Sequence, residues 1–343
     1  MGGEMNSRQA MTLANELSLR GLGATSPNPI VGAVVLSEDG SLISSGFHHR
    51  MSSPDHAEVV ALKRAGNQSR GAHLFLTLEP CNHHGETPPC VDAIIAAGIA
   101  EVTFATADPN PEATGGAQRL RDAGIKVELT NDPDVAFANR AWLKKIRTGL
   151  PLITLKIATS LDGKIAADDG TSQWITSEGA RADVQVLRRH SDAIMVGANT
   201  ALLDNPRLTP RVTPEVAQGY VGNPPRIIIG EQEIPLTHHL YDASAESIFI
   251  KSKSLEDLKS LLKARAFNSL LVEAGPTLAT ALIQAQLVDE IAHYQAPTIL
   301  GSGKNFVSDL GIKTLNERID LQLRSSQVID GNIKSHYLVQ EGV

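Results

Sequence analysis

The sequence predicts a two-domain α/β protein, and three observations predict it. The chain has 343 residues, more than one hydrophobic core usually serves, so two domains that each bury a core are the better expectation. Short apolar runs of strand length alternate with stretches of helical period along the chain, the pattern of sheets covered by helices. Thr148-Gly149-Leu150-Pro151 interrupts this alternation before a new apolar run begins, which sets the expected domains at 1–148 and 149–343.

In the first half, Met5 to Gly21 carries apolar residues at helical spacing, and Val31 to Leu36 and Leu42 to Phe47 read as strands around the turn Glu38-Asp39-Gly40. His56 to Ala65 reads as a helix, Ala72 to Leu78 as a buried strand, and Pro88 to Ala97 as a helix opened by proline. Val102 to Thr106 is an expected strand, Ala117 to Ala123 an expected helix, and Asn131 to Lys145 one further helix. In the second half Leu152 to Ala158 is apolar, Ala193 to Gly197, Arg226 to Ile229, Ser247 to Ile250 and Leu270 to Val272 read as strands, and Leu255 to Ala266 and Pro276 to Gln286 as helices. No motif of the first half recurs there, so two different domains are expected and no internal repeat.

Composition narrows the function. With 42% hydrophobic and 20% charged residues and no uninterrupted apolar stretch of spanning length, the chain reads as an ordinary globular protein and not a membrane protein. Glu4, Asn6, Arg8, Asn15 and Glu16 break up the N-terminal region, so neither a secretory signal nor a transit peptide is expected and the cytoplasm is the default compartment. A net charge of −7 argues against nucleic acid as a partner while leaving room for a small basic pocket that takes a phosphorylated ligand. In a reducing compartment the two cysteines, Cys81 and Cys90, are better read as metal ligands than as a disulfide.

His56-Ala57-Glu58 opens an expected helix, Glu79-Pro80-Cys81 lies where a strand gives way to a loop, and Cys90 begins the next helix. One imidazole and two thiolates hold zinc with a fourth position open for water, whose pKa falls to about 7. Glu58, two residues beyond the histidine, suits a carboxylate that does not ligate the metal but takes the proton of that water and returns it to a ring nitrogen and a departing amine. The order H-x-E, then P-C and a second cysteine, is the zinc-deaminase signature, here with eight residues between the cysteines. His83 and His84 lie in that insert and are expected to shape the loop or touch substrate.

The insert Asn82-His83-His84-Gly85-Glu86-Thr87-Pro88-Pro89, with Pro27-Asn28-Pro29-Ile30-Val31-Gly32 before it and Asp108-Pro109-Asn110-Pro111 after it, resembles the bifunctional diaminohydroxyphosphoribosylaminopyrimidine deaminases and 5-amino-6-(5-phosphoribosylamino)uracil reductases of riboflavin biosynthesis. The second half is similar to the reductase of that family through Leu155 to Ala166, Ser172 to Thr176, Val196 to Thr200 and Asp204 to Thr209. The resemblance implies a cytidine-deaminase-like three-layer domain followed by a dihydrofolate-reductase-like domain, with Zn2+ and NADPH as cofactors, a phosphorylated pyrimidine as substrate and a homodimer. It implies that Asn28 bonds the pyrimidine.

No G-x-G-x-x-G occurs after Pro151, so a dinucleotide fold of that type is not expected. Instead Leu270-Leu271-Val272 runs through Glu273-Ala274-Gly275 into the helix from Pro276, a turn whose free N–H groups suit a phosphate. Carried over by resemblance, cofactor contacts fall on Ala158, Trp174, Thr200, Asp204 and the turn Gly275, Pro276, Thr277, Leu278, Ala279, Thr280 and Ala281. Substrate contacts fall on Ser172, Arg188, Leu208, Arg211 and Glu273. Arg188 and Arg211 suit a sugar phosphate, and Glu273 can accept from ribose or amine.

The chain departs from the family at three places. Ser52-Ser53-Pro54-Asp55 makes the loop before the zinc histidine one residue longer, Gly115-Gly116 are adjacent where the family separates its glycines, and Ala274 stands where it has glycine. Alanine there is strained if the position needs a positive φ. A free-base, nucleoside or tRNA deaminase with an appended domain is the nearest rival reading, and the cysteine spacing and the second-half motifs speak against it. A binding protein with structural zinc is the rival of another class, and a closed structural site needs a fourth ligand.

Overall fold

The structure is a computed structural model that describes residues 4–85, 87–111, 114–217 and 219–340. The chain divides into two units, Met1–Gly149 with Gly219–Val221, and Leu150–Gln218 with Gly222–Val343. Each is described by itself.

The first unit is built on a five-stranded sheet. Helix α1 (Ser7–Ser18) opens with a capping box in which Asn6 and Gln9 exchange side-chain and backbone hydrogen bonds, and it ends in a 3-10 turn at Leu19–Gly21 where one continuous helix was expected. Strands β1 (Gly32–Leu36) and β2 (Leu42–Phe47) follow, then α2 (Ala57–Ala65), β3 (His73–Leu76), α3 (Cys90–Ala96), β4 (Glu101–Phe104), α4 (Gly116–Asp122) and β5 (Lys126–Leu129). The sheet order is β2-β1-β3-β4-β5, with β1 antiparallel to β2 and β3, and β3, β4 and β5 parallel.

Both faces of this sheet are covered, because alternate strand residues point to opposite sides. Ala33, Val35, Leu74, Leu76, Val102 and Phe104 pack with Ala61 of α2, Val91 and Ile94 of α3 and Leu120 of α4. Val34, Leu36 and Phe75 pack with Ala10, Met11, Ala14 and Leu17 of α1. The result is the three-layer arrangement the resemblance implied.

The single helix expected over Asn131 to Lys145 is two, α5 (Pro133–Ala138) and α6 (Arg140–Thr148). The break falls at Asn139, whose side chain is spent on the backbone of Ile30 and not on solvent. Strand β5, an edge strand with no fully buried residue, was not anticipated.

The second unit holds β6 (Leu152–Thr159), β7 (Lys164–Ala166), α7 (Glu178–Arg189), β8 (Ala193–Gly197), α8 (Ala198–Asp204), α9 (Pro214–Ala217), β9 (Arg226–Ile229), β10 (Ser247–Ile250), α10 (Leu255–Ala264), β11 (Ser269–Val272), α11 (Pro276–Gln284), β12 (Glu290–Gln295), β13 (Lys304–Asn305), β14 (Leu321–Ile329) and β15 (Asn332–Val339). Its main sheet runs β10-β9-β8-β11-β6-β12-β15-β14. The strands from β10 to β12 are parallel, and β15 and β14 add an antiparallel hairpin.

Ile153, Leu155, Met195, Ile227 and Val272 pack with Leu258 and Leu262 of α10 and Ala279 and Leu282 of α11. Against the opposite face, Ala180 and Val184 of α7 pack on Ala292 and Tyr294, and Ala198 and Ala201 of α8 pack on Ile194, Val196 and Ile228. Because β8 and β6 both flank β11 in parallel, the carboxyl ends of three central strands come together. The turns into α8 and α11 therefore lie side by side, and a Cβ on Gly275 would sit 3.5 Å from Thr200 Oγ1.

Candidate active sites

The candidate metal-ligating trio of the first unit is brought together by three local features. His56 is the N-cap residue of α2 in extended conformation, and its side chain makes no cap hydrogen bond, which leaves the ring to face inward. Cys81 follows the end of β3, and Cys90 is the first residue of α3. Their donor atoms converge: Nδ1 of His56 lies 3.2 Å from Cys90 Sγ and 3.6 Å from Cys81 Sγ, and the Cys90 backbone N–H points at Cys81 Sγ at 3.4 Å. All three ligand atoms lie within 4.8 Å of one another.

These donors fit zinc. A borderline-soft cation is held by imidazole nitrogen and thiolate sulfur, and three protein ligands leave a fourth position free. The Cys90 thiol donates to Cys81 and, with His56 alongside, holds the Cys81 thiol down to about 4, while the same contact pushes Cys90 up. Neither cysteine is in a disulfide. His83 and His84 are outside this trio, and among the described residues no other group of ligating side chains converges in this way.

Glu58 sits in the first turn of α2 and is buried, at 4% exposure. Its Oε2 has no hydrogen-bond partner, and burial pushes its pKa up. An orphaned carboxylate oxygen this deep is costly unless a ligand satisfies it. It opens on a cavity of ≈ 400 Å³ whose walls include Asn28, His48, Arg50, His56, Cys81, His83, Asp108, Asn110 and Trp142.

The cavity wall is ordered by its own hydrogen bonds. Asp55 O lies 2.9 Å from Nδ1 of His48, so that nitrogen carries the proton and donates it, and Nε2 accepts from Asn28 Nδ2 at 3.2 Å. Burial carries His48 down to about 4, which keeps the ring neutral. The Ser52–Asp55 loop thus presents a carbonyl to a ring to which the sequence assigned no role. Glu79 accepts from the backbone N–H of Asp108 and of Ala117, and burial raises Asp108 to about 6. Gly116 cannot carry a side chain, since a Cβ there would lie 1.9 Å from the Pro80 carbonyl oxygen. Glu86 lies outside the described residues.

In the second unit Ala158, Thr200, Glu273 and Gly275 lie at the carboxyl ends of β6, β8 and β11 or just past them, and the expected contact residues differ in what their side chains can offer. Trp174 is 67% exposed and lies under the Arg181 guanidinium at 4.6 Å, so it is no core residue. Ala158, Thr200 and Gly275 flank the junction of β6, β8 and β11. Ala279 is fully packed in the core, and Thr280 Oγ1 accepts from the Ser308 N–H, so of the run Gly275 to Ala281 only the first turn is open. Leu208 buries its side chain at 2% exposure and holds φ 55°, which leaves its backbone for a ligand. Ser172, Asp204 and Arg211 are exposed. Ala274 is not among the positive-φ residues, so alanine brings no strain there.

Arg188 and Glu273 are paired with each other. Arg188 Nε and Nη2 donate to Oε1 and Oε2 of Glu273 at 2.5 and 2.9 Å. Burial works against the Glu273 carboxylate, but Arg188 and the nearby Lys156 carry its pKa below the usual range. Nη1 of Arg188 faces Gln185 Oε1 at 3.5 Å, and the N–H groups that Glu273 leaves unused on Nη1 and Nη2 are the ones a ligand can take. Lys156 and Gln185 were given no role from the sequence: Lys156 lies inside the Leu155 to Ala166 stretch without being singled out, and Gln185 lies mid-helix with no motif around it.

Comparison with known proteins follows the same division. A family model of the cytidine and deoxycytidylate deaminase zinc-binding region matches residues 5–106, and one of the RibD C-terminal domain matches 151–335. The riboflavin biosynthesis protein RibD of Mycobacterium tuberculosis is 41% identical over 325 residues, covering 94% of each chain. That of Escherichia coli is 41% identical over 330 residues, covering 87% of this chain and 89% of its own. Among solved structures, an Acinetobacter baumannii RibD aligns with a TM-score of 0.86 at 35% identity over 96% of this chain and 98% of its own. A diaminohydroxyphosphoribosylaminopyrimidine deaminase/5-amino-6-(5-phosphoribosylamino)uracil reductase from Thermotoga maritima does so with 0.86 at 31% identity over 96% and 98%.

Proposed function

This chain belongs to the RibD family of bifunctional deaminase-reductases of riboflavin biosynthesis, and from that premise we propose how its own residues divide the two reactions. Residues 1–148 deaminate 2,5-diamino-6-(5-phosphoribosylamino)pyrimidin-4(3H)-one, and residues 149–343 reduce the ribosyl group of the resulting uracil to ribityl. The observation that carries the first half is the convergence of His56, Cys81 and Cys90 beside the orphaned Oε2 of Glu58.

His56, Cys81 and Cys90 would hold zinc, which when bound acidifies a water at its open position. Glu58 takes the proton from the attacking water and delivers it to the ring nitrogen and then to the leaving ammonia. Its burial favours the protonated carboxyl between those transfers. Asn28, held by His48, offers its amide oxygen to the pyrimidine, and Arg50 lends the cavity a cation for an anionic substrate.

In the second half, Ala158, Trp174, Thr200, Asp204 and the open first turn of the run Gly275 to Ala281 would hold NADPH, which supplies the hydride for C1′. The free N–H groups of the first turn of α11 suit its phosphates. Ser172, Arg188, the Leu208 backbone, Arg211 and Glu273 would hold the phosphoribosylaminouracil, with Arg211 and Arg188 Nη1 toward its phosphate. The same reading makes the protein a cytoplasmic homodimer. What supports a second copy is β14, a nine-residue edge strand exposed along nearly its whole length, with Leu321, Leu323 and Val328 at its surface and interrupted only by the bulge at Arg324. Among the described residues no helix is long and apolar enough to cross a membrane.

The test is to incubate the purified full chain with the diaminopyrimidinone, with and without NADPH, and identify products by mass. The uracil alone is expected without NADPH and the ribityl product with it. Unchanged substrate in both arms would contradict the reading.

A further inference from the structure

The two arginines proposed to meet the substrate phosphate sit on different elements, Arg188 in the last turn of α7 and Arg211 in the loop after α8. Like charges repel, and a loop arginine with an exposed side chain has many positions open to it. One buried side chain joins them. Gln185, one turn before Arg188 on α7, is 8% exposed. Its Oε1 accepts the backbone N–H of Arg211 at 3.2 Å and lies 3.5 Å from Nη1 of Arg188. Its Nε2 donates to the Arg181 carbonyl at 3.4 Å, which fixes the amide orientation and therefore which atom faces the arginines.

The same Nη1 is the one nitrogen of Arg188 that Glu273 leaves unused. Glu273 neutralises one edge of that guanidinium, so a second cation can be tolerated nearby, and Gln185 determines where the second cation's main chain is held.

We infer that Gln185 is a positioning residue for the phosphate of the reductase substrate: it registers the Arg211 loop against Arg188 so that both guanidinia meet one dianion. It acts through Arg211 and Arg188 and touches neither NADPH nor the reacting carbon. The inference rests on the proposed reading of those arginines.

The experiment measures reductase kinetics of the full-length protein with 5-amino-6-(5-phosphoribosylamino)uracil and with its dephosphorylated analogue, for wild type, Gln185→Met and Arg211→Ala. Methionine matches glutamine in shape but is only a weak hydrogen-bond acceptor, and Gln185→Leu, which has no acceptor, serves as a second variant. Expected is a KM for the phosphorylated substrate raised about tenfold, as for loss of a hydrogen bond that orders a charged group. The KM for NADPH and kcat change far less, and the preference for the phosphorylated substrate falls by the same factor as its affinity. An unchanged KM in both Gln185 variants, with Arg211→Ala impaired, overturns the role of Gln185 alone. A joint loss of kcat and of both KM values, with the preference intact, shows a merely structural residue and also overturns it. If Arg211→Ala keeps wild-type KM and preference, the phosphate reading itself falls and takes the inference with it.

Discussion

Asn139 gives both of its amide hydrogen bonds to the backbone of Ile30: Oδ1 accepts the Ile30 N–H at 3.0 Å, and Nδ2 donates to the Ile30 carbonyl at 2.7 Å. The pair is buried and pins the segment bearing Asn28 to the junction between α5 and α6. Asn139→Ala strands a buried donor and acceptor and is expected to cost about 2–4 kcal/mol in urea unfolding. The deaminase KM should rise while reductase kinetics stay close to wild type. A loss below about 1 kcal/mol with unchanged deaminase KM would contradict the role.

His48 makes stability depend on pH in a stated direction. Burial lowers its folded pKa to about 4 from the ordinary 6.5. The stabilisation from the neutral ring is complete above pH 6.5 and is lost as pH falls from 6.5 toward 4, because the unfolded chain binds the proton first. The slope is at most about 1.4 kcal/mol per pH unit. His48→Gln can still donate to Asp55 O and accept from Asn28, but it does not titrate, so its unfolding curves between pH 7 and 4.5 should lack this part of the slope. Parallel pH profiles for the two proteins would refute the assignment.

Trp174 is exposed against the Arg181 guanidinium, which is not the place of a core residue, and the proposed reading makes it a contact of NADPH. Trp174→Ala is expected to raise the KM for NADPH about tenfold, equivalent to about 1.4 kcal/mol. Stability should shift by no more than about 0.5 kcal/mol, as for a surface substitution. A large stability loss with an unchanged KM would reverse the reading.

What could be read in the sequence was governed by local pattern. The strands of the first sheet alternate or run apolar over Val31 to Leu36 and Ala72 to Leu78, and His56, Glu58, Cys81 and Cys90 are marked by spacing, so the first domain's order, apart from the edge strand β5, and the residues of its candidate metal site were legible. Asn139 was not, because an asparagine inside a helical pattern gives no sign that its partner lies 109 residues away. The β14–β15 hairpin was also missed, although Asp330-Gly331, with φ of 46° and 77°, is the sequence signal of a two-residue hairpin turn; its exposed strand lacks the apolar run that marked the others. Arg226 is fully buried, and its guanidinium donates to Asp242 and to the carbonyls of His239 and Ala245. An arginine opening an apolar strand reads from sequence as a surface residue. The pairing of Arg188 with Glu273 needed the fold, since 85 residues separate them.

The most direct measurement of the central claim is ammonia release by Glu58→Gln, with zinc content determined on the same sample. The account expects wild-type zinc, deamination reduced by about a thousandfold as for loss of a general acid-base, and unimpaired NADPH-dependent reduction of the uracil. Ammonia release near the wild-type rate from the zinc-loaded variant would contradict it.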